Sequence, residues 1–329
     1  MTPSATVRLA ITVGDPAGIG LEIALRALQV PAPPGAVRWL YGSVQVLRER
    51  ADRFSLPGPE RAGAELVDVA LRGPLRPGEV SAVGGHAAAD AVRRAVEDAV
   101  AGRVDALVTA PLHKESLRAA GHSWAGHTEM LAELAGVRDV AMMFVGGGLR
   151  VALLTIHRSL RSVPDALTAE EVGRVVRLVH RELPRLGAAG RRIAVCGVNP
   201  HAGDGGLFGR EEIEVLSPAI EALRREGLDV SGPHPADALF ARASEEGFDA
   251  IIAAYHDQGL IPVKLLSRGR AVNVTLGLPF VRTSVDHGTA FDIVERGVAD
   301  PASLLEAEAL AAGLVAGRRL ASEKTSQEA

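Results

Sequence analysis

The sequence has one cysteine, few aromatic residues and no long apolar run, and each of these shortages excludes a class of protein. With Cys196 as the only cysteine, no disulfide framework can form within the chain. Aromatic residues make up 3% of the sequence, too few for the stacking surfaces of single-strand nucleic-acid binders. No apolar run is long enough to span a membrane, and no basic segment with an apolar core opens the chain. We therefore expect a cytoplasmic protein.

The balance of charge also argues against a nucleic-acid partner. The net charge is −4 and both signs are dispersed, so there is no basic field. The 329 residues, 47% of them apolar, suffice for two lobes or one large α/β domain with a sizeable core. Short apolar runs alternate with amphipathic segments, which is the pattern of βα units. The predicted fold class is α/β, with Cys196 as a small buried side chain.

The alternation predicts individual elements along most of the chain. Strands are expected at 7–13, 38–41, 105–109, 140–144, 149–156, 191–198, 249–255 and 271–276. Helices are expected at 18–28, 86–101, 128–135, 168–186, 211–226, 237–246 and 301–322. Glycines 146–148 indicate a hairpin between two of the strands, and Thr168 with Glu171 fits a capping box.

Three histidines each follow a strongly apolar, strand-like run. The runs 149–156, 191–198 and 249–255 lead to His157, His201 and His256. Because ligands bind beyond the carboxyl ends of strands in open α/β sheets, the three imidazoles could converge on one point. Neutral imidazole suits zinc, cobalt, nickel or iron, and three protein ligands leave room for water or substrate. The pattern indicates an open catalytic metal site, although one such histidine alone is more often a hydrogen-bonding residue.

Two predicted helix starts carry residues that suit an anion. Residues 14–20 follow the first strand with three glycines, but they form neither a G-x-G-x-x-G fingerprint nor a Walker loop. A nucleotide loop and a tight glycine turn are both open for this segment. His127 and Thr128 begin another helix, where the hydroxyl and the backbone N–H groups could bind an anion. Simple N-capping is the alternative there.

Further polar residues lie near predicted loop or strand ends later in the chain. Lys264, Asn273 and Arg282 provide two cations and an amide, which suit recognition of a phosphate or carboxylate. Asp257 directly follows a candidate metal ligand and could bind the metal, orient the imidazole or accept a proton. The glycine after His287 indicates either close approach of the backbone to a ligand or only a turn.

Five ordered motifs carry a family resemblance. They are VGDPAGIG at 13–20, GHTE at 126–129, NPHAG at 199–203, YHDQG at 255–259 and the segment 272–293. Together they resemble the 4-hydroxythreonine-4-phosphate dehydrogenase family of vitamin B6 (pyridoxine) biosynthesis, over nearly the whole chain. The presence of all five motifs in this order is specific to the family, but it identifies the substrate less specifically.

The resemblance implies a fold like that of isocitrate and isopropylmalate dehydrogenases. That fold has two α/β lobes and an active site in the interlobe cleft, and its members form homodimers with a shared active site. We place the first lobe at 1–130 plus 265–329 and the second at 131–264, with approximate boundaries. The family's metal ligands match His157, His201 and His256, one of them contributed across the dimer.

The resemblance also implies the remaining site residues. The family's substrate-binding positions match His127, Thr128, Lys264, Asn273 and Arg282. Asp286, His287 and Gly288 are similar to a loop that contacts NAD or NADP in the wider dehydrogenase superfamily, which does not use the Rossmann fingerprint. Asp257 and Asp237 are the candidate catalytic bases.

These expectations combine into one reaction. It is the NAD-dependent oxidation of the 3-hydroxyl of 4-phosphohydroxy-L-threonine, assisted by a divalent metal and followed by decarboxylation to 3-amino-2-oxopropyl phosphate. Zinc is the expected ion, with cobalt and magnesium as alternatives. The same chemistry on 4-phospho-D-threonate or 4-phospho-D-erythronate is one alternative. A metal-dependent aldolase or hydrolase without NAD is the alternative from another class.

Overall fold

The computed structural model describes residues 6–188 and 190–327, without the side chains of 244 and 318–327. The chain forms two compact units, which are residues up to Arg138 with those from Leu278 onward, and Asp139–Gly277. The backbone therefore passes from one unit to the other after Arg138 and after Gly277. The sequence places these crossings approximately after 130 and 264.

The first unit is built on a parallel sheet. Its elements are β1 (Val7–Thr12), α1 (Gly20–Ala27), β2 (Ala36–Gly42), α2 (Val44–Arg53), β3 (Glu65–Asp68), α3 (Ala82–Val100), β4 (Ala106–Thr109), α4 (Lys114–Ala119), α5 (His127–Leu134), β11 (Val281–Ser284) and α11 (Ala302–Gln327). The strand order is β3-β2-β1-β4-β11, and all neighbours are parallel. The chain runs outward from β1 to β3 and returns as β4, so the topological switch point lies at the carboxyl ends of β1 and β4.

The turn at 14–20 owes its glycines to close packing. A Cβ at Gly14 would lie 2.0 Å from the carbonyl oxygen of Pro111, and Gly14 has a φ of +70°. A Cβ at Gly20 would lie 2.0 Å from the carbonyl oxygen of Val13. The tight-turn interpretation therefore accounts for both glycines, without a nucleotide. The turn leads into α1, whose apolar residues Leu21 and Leu25 are completely buried.

The second unit combines a hairpin with parallel strands. Its elements are β5 (Ala141–Gly146), β6 (Leu149–Leu153), α6 (Val163–Ala166), α7 (Ala169–Glu182), β7 (Ile193–Cys196), α8 (Ser217–Arg225), β8 (Val230–His234), α9 (Ala236–Glu246), β9 (Ala250–Ala253), α10 (His256–Ser267) and β10 (Val272–Leu276). Strand β5 is antiparallel to β10 and to β6, which confirms the predicted hairpin. Strands β6, β9, β7 and β8 follow in that order and are parallel.

Several elements differ from the sequence prediction. The sequence pattern does not predict the strands β3, β8 and β11 or the helices α2, α4, α6 and α10. The helix expected at 168–186 is α-helical to Glu182 and ends as a 3₁₀ turn at Leu183–Leu186. Thr168 Oγ1 accepts from the Glu171 N–H at 3.1 Å, but the Glu171 carboxylate pairs with Arg174 instead of completing a capping box. None of the described helices is long and apolar enough to span a membrane.

Candidate active site

The second unit has the strand arrangement that convergence of the three histidines requires. Strands β6, β9 and β7 are adjacent and parallel, so their carboxyl ends lie along one edge of the sheet. His157 follows β6, His256 follows β9 and His201 follows β7. A short loop separates each histidine from its strand, and His256 is the first residue of α10.

Two of these histidines lie side by side. The ring centroids of His157 and His256 are 6.1 Å apart, and both residues line a cavity of about 440 Å³ together with Asp257. His256 Nδ1 lies 2.7 Å from Asp257 Oδ1. If Nδ1–H donates to this carboxylate, the lone pair of Nε2 is left to bind a metal, as in carboxylate–histidine–zinc triads. With Zn–N distances of about 2.1 Å, the two rings are close enough to share one ion.

His201 lies in a left-handed turn that holds it in an uncommon conformation. His201, Ala202 and Asp204 have φ angles of 54°, 53° and 43°, in a region that favours glycine. Such backbone strain concentrates at functional sites. His201 is exposed, with its ring centroid 6.2 Å from that of Phe208.

A buried carboxylate fixes the loop that carries His201. Glu212 accepts hydrogen bonds from the N–H groups of Val198 and Asn199 at 2.7 and 2.8 Å, and from the Asn199 amide at 2.9 Å. Burial raises the pKa of Glu212, but these hydrogen bonds outweigh it and the net pKa is lowered. Sequence analysis missed Glu212, because its partners are visible only in the folded loop.

The structure therefore brings His157 and His256 together. His201 does not join them in a group of three potential metal ligands. Within residues 6–188 and 190–327, no three His, Cys, Asp or Glu side chains form a group that could hold a metal. The two imidazoles are donors that suit a divalent ion, and Asp257 is placed to orient one of them. Asp257 lines the same cavity as these imidazoles, whereas Asp237 lies in the first turn of α9 and does not.

The first unit buries a guanidinium at its switch point. Arg282 is 1% exposed, and its Nη2 donates to Thr109 Oγ1 at 2.7 Å. Thr109 Oγ1 donates to Ser284 Oγ at 2.9 Å, and Ser284 Oγ donates to the Thr109 carbonyl at 2.9 Å. Burial lowers the pKa of Arg282 to about 9. Arg282 remains a cation at neutral pH and is oriented by two neighbouring strands, β4 and β11.

His127 lies beside this guanidinium at the start of α5. Gly126 occupies the N-cap position, so Thr128 is inside the first turn and does not cap the helix. His127 Nε2 is buried and has no hydrogen-bond partner among the described residues. Burial and repulsion by Arg282 lower the pKa of His127 well below its usual value. A neutral imidazole, a helix N-terminus and a buried cation suit one anion.

Of the other predicted site residues, Lys264 and Asn273 occupy regular elements, and residues 286–288 lie in a loop. Lys264 is an exposed residue in the last turn of α10, and Asn273 lies within β10 with Oδ1 buried and without a hydrogen-bond partner among the described residues. In the loop expected to contact the cofactor, the Asp286 N–H donates to Ser303 Oγ at 3.1 Å. His287 is exposed, and a Cβ at Gly288 would meet no protein atom within 4 Å.

The lowered pKa of His127 predicts an acid-sensitive fold. A histidine whose folded pKa lies below its unfolded value contributes stability above the unfolded pKa, and this stability is lost as the pH falls below about 6.5. We expect the free energy of unfolding to decrease there by up to about 1.4 kcal/mol per pH unit from this group. Urea unfolding at a series of pH values measures the slope. His127→Gln should flatten the dependence of the unfolding free energy on pH. An unchanged slope in this variant would contradict the lowered pKa of His127.

The fold and these residues define a two-unit α/β enzyme with an imidazole pair in one unit and a buried cation in the other. The profile of the family described as "Pyridoxal phosphate biosynthetic protein PdxA" matches residues 36–311. The chain belongs to this family.

Individual relatives agree with that assignment. The chain is 46% identical to the 4-hydroxythreonine-4-phosphate dehydrogenase of Chromobacterium violaceum, over 94% of this chain and 98% of the relative. It is 43% identical to the D-threonate 4-phosphate dehydrogenase of Pectobacterium atrosepticum, over 90% and 95%. It is similar to the crystal structure of 4-hydroxythreonine-4-phosphate dehydrogenase from Klebsiella pneumoniae, with a TM-score of 0.84, 41% identity and coverage of 94% and 100%. This similarity confirms the predicted fold class.

Proposed function

We propose that the protein oxidises the 3-hydroxyl of 4-phosphohydroxy-L-threonine with NAD and releases the carboxylate as carbon dioxide, giving 3-amino-2-oxopropyl phosphate. The observation that carries the proposal is the buried pair of Arg282 and Thr109, which lies beside His127. The chain is also 46% identical to a dehydrogenase that is named for this phosphorylated substrate. Guanidinium groups bind phosphate oxygens through charge-assisted hydrogen bonds, which are stronger than neutral ones.

The residues of the first unit would hold the phosphate. Arg282 offers a rigid fork of donors that matches phosphate geometry, and the first turn of α5 offers backbone N–H groups with the Thr128 hydroxyl. His127 is neutral at pH 7, since its pKa is lowered, so it can donate through one ring nitrogen without adding charge. In the second unit, Lys264 and Asn273 would bind the carboxylate end of the substrate.

The histidines and Asp257 would act at the hydroxyl. We assign the divalent metal, zinc or alternatively cobalt or magnesium, to His157, His256 and a His201 supplied by the second copy. When bound, such an ion supplies Lewis acidity that lowers the pKa of the hydroxyl and stabilises charge on its oxygen. Asp286, His287 and Gly288 would hold NAD, which would supply the hydride acceptor. Asp257 orients His256 and takes the hydroxyl proton, because it lines the same cavity and Asp237 does not.

A second substrate has a specific observation in its favour. The Pectobacterium atrosepticum relative, at 43% identity, is named for D-threonate 4-phosphate rather than for 4-hydroxythreonine 4-phosphate. The phosphate and the oxidised hydroxyl are common to both substrates. NADH absorbance with each substrate in turn tests the choice. NADH formation with only the phosphorylated threonate or erythronate would leave the proposed mechanism in place, but it would contradict the assignment to vitamin B6 synthesis.

Because the reaction uses NAD and a phosphorylated metabolite, we place it in the cytoplasm.

We further propose that the active protein is a homodimer. Helix α10 exposes Ile261, Leu265 and Leu266, and the His201 loop exposes Leu207 and Phe208. Contiguous exposed apolar side chains mark interaction surfaces, and we place the dimer interface on these residues. A second copy covering it would also supply the third histidine. Leu265 is 73% exposed, so its replacement does not disturb the core.

Leu265→Asp is expected to convert the dimer to a monomer and to abolish NADH formation, because a buried unpaired carboxylate is strongly unfavourable in an interface. Light scattering measures the mass. Val100→Asp, at an exposed valine of the first unit, is the matched control and should remain dimeric and active. A wild-type monomer that turns over substrate would contradict the proposal.

Lys264→Ala is expected to weaken apparent substrate binding by roughly ten- to a hundredfold, since a charge-assisted contact is worth about 1.5–3 kcal/mol. The affinity for NAD should change little. Steady-state kinetics with each reactant varied in turn separates the two constants. An unchanged KM for the phosphorylated substrate would count against Lys264. Arg268→Ala, at an exposed position just after α10, controls for loss of surface charge.

A further inference from the structure

Lys114 lies beside the N-terminus of α5, where we place the phosphate. A Cβ at Gly126, the N-cap residue of this helix, would lie 3.9 Å from Lys114 Cε. Gly126 has no side chain that could accept from the N–H groups of the first turn, so these groups are left for water or a ligand. The glycine also leaves room for the lysine side chain to pass beside them. The ammonium group is therefore close to N–H groups that suit an anion.

The base of this side chain is fixed by the packing of α4, which begins at Lys114. Ser116 and Leu117 are completely buried. The Ser116 carbonyl oxygen lies so close to α3 that a Cβ at Gly85 would be 1.9 Å from it. The Ser81 N–H donates to Ser116 Oγ at 3.4 Å. The backbone of α4 is therefore held against α3, while the exposed Lys114 side chain can adjust to a ligand.

The charge of Lys114 is not neutralised within the protein. Among the described residues, Lys114 forms no ion pair. The Glu129 carboxylate is near, with Oε2 3.6 Å from the Cβ position of Gly126, but the two side chains do not pair. By contrast, the buried Arg38 of the same unit pairs with Glu308 at 2.7 Å. The ammonium group of Lys114 is therefore available to a ligand.

A phosphate ester needs more positive charge than Arg282 supplies. It carries a charge of about −1.5 to −2 at pH 7. Arg282 contributes one positive charge, and His127 contributes none because its pKa is lowered. A helix N-terminus is equivalent to roughly half a charge, and Glu129 in the first turn of α5 opposes it. A second cation therefore brings the site with a bound dianion closer to neutrality.

We propose that Lys114 is a second cation of the phosphate site, and that it gives this site a preference for the dianion of a phosphate ester over a monoanion. The proposal rests on the phosphate being bound by Arg282 and α5, as in the proposed function. Arg282 is buried and fixed, so it sets where the phosphate lies. Lys114 supplies three further N–H donors from the side of the N-cap. A ligand with a phosphodiester or a carboxylate in place of the phosphate monoester has less charge to offer this ammonium, so Lys114 selects for the monoester.

Calorimetric titration of the full-length protein without NAD measures this preference in the absence of turnover. The probes are 4-phosphohydroxy-L-threonine and the same compound with a methyl group on one phosphate oxygen, which makes the phosphate a monoanion. Lys114→Met is expected to weaken binding of the dianion by about tenfold and binding of the methyl ester by less than about threefold. Lys114→Arg keeps the cation and should retain the preference. Arg118→Met is the matched control, because Arg118 is an exposed cation on the same helix, and this variant should bind both probes as the wild type does.

An unchanged ratio of the two affinities in Lys114→Met would overturn the role of Lys114. If the wild-type protein binds the phosphate monoester and forms NADH in that case, the proposed function stands and only the assignment of Lys114 is wrong. Equal weakening by Arg118→Met would also overturn the assignment. A wild-type protein that binds neither probe and forms no NADH would remove both proposals.

Discussion

His256→Ala is expected to abolish metal-dependent NADH formation while the protein stays folded. His256 has two contacts that are typical of a metal ligand. Its ring centroid lies 6.1 Å from that of His157, and its Nδ1 lies 2.7 Å from Asp257 Oδ1. Changes to partners of a metal ligand already cost 10–100-fold in metal affinity or activity, so loss of the ligand itself should exceed about 100-fold. Metal content by elemental analysis and NADH absorbance measure the two effects separately.

His180→Ala serves as the control for His256→Ala. His180 lies on α7 in the same unit and outside the cavity, so this variant should keep both metal and activity. Treatment of the wild-type protein with a chelator should reproduce the loss, and a divalent ion should reverse it. Full activity in a sample shown to be free of metal would contradict the role of the histidines.

Arg282→Gln is expected to raise the apparent KM for the phosphorylated substrate by about 100-fold or more. The buried guanidinium is held by Thr109, and charge-assisted bidentate contacts to phosphate are about twice as strong as neutral ones. Arg38→Gln is the matched control, since Arg38 is also buried in the first unit but pairs with Glu308 at 2.7 Å. It should lower the melting temperature without a comparable change in KM. A similar KM in both variants would contradict the phosphate assignment.

Local sequence patterns predicted the elements that depend on local physics. The hairpin of β5 and β6 is signalled by adjacent glycines, and Gly147 and Gly148 have the positive φ angles that the turn requires. The start of α7 is signalled by Thr168, which caps it. The placement of a histidine after each of β6, β7 and β9 also followed from short apolar runs.

Two of the missed elements, α10 and β11, carry residues that local rules disfavour. Helix α10 contains Gly259 and Pro262, which usually interrupt helices. Gly259 is there because a Cβ would lie 2.8 Å from Leu153 Cδ2, a contact that only the fold reveals. Strand β11 buries Arg282, a residue type that is rarely fully buried. The bond between Arg282 and Thr109 joins distant parts of the chain, so no sequence window contains both.

The stoichiometry of products tests the proposed reaction most directly. With 4-phosphohydroxy-L-threonine deuterated at the carbinol carbon, NADH and carbon dioxide should form in equal amounts, and the deuterium should be transferred to the nicotinamide ring. Consumption of the substrate without reduction of NAD would contradict the dehydrogenase account.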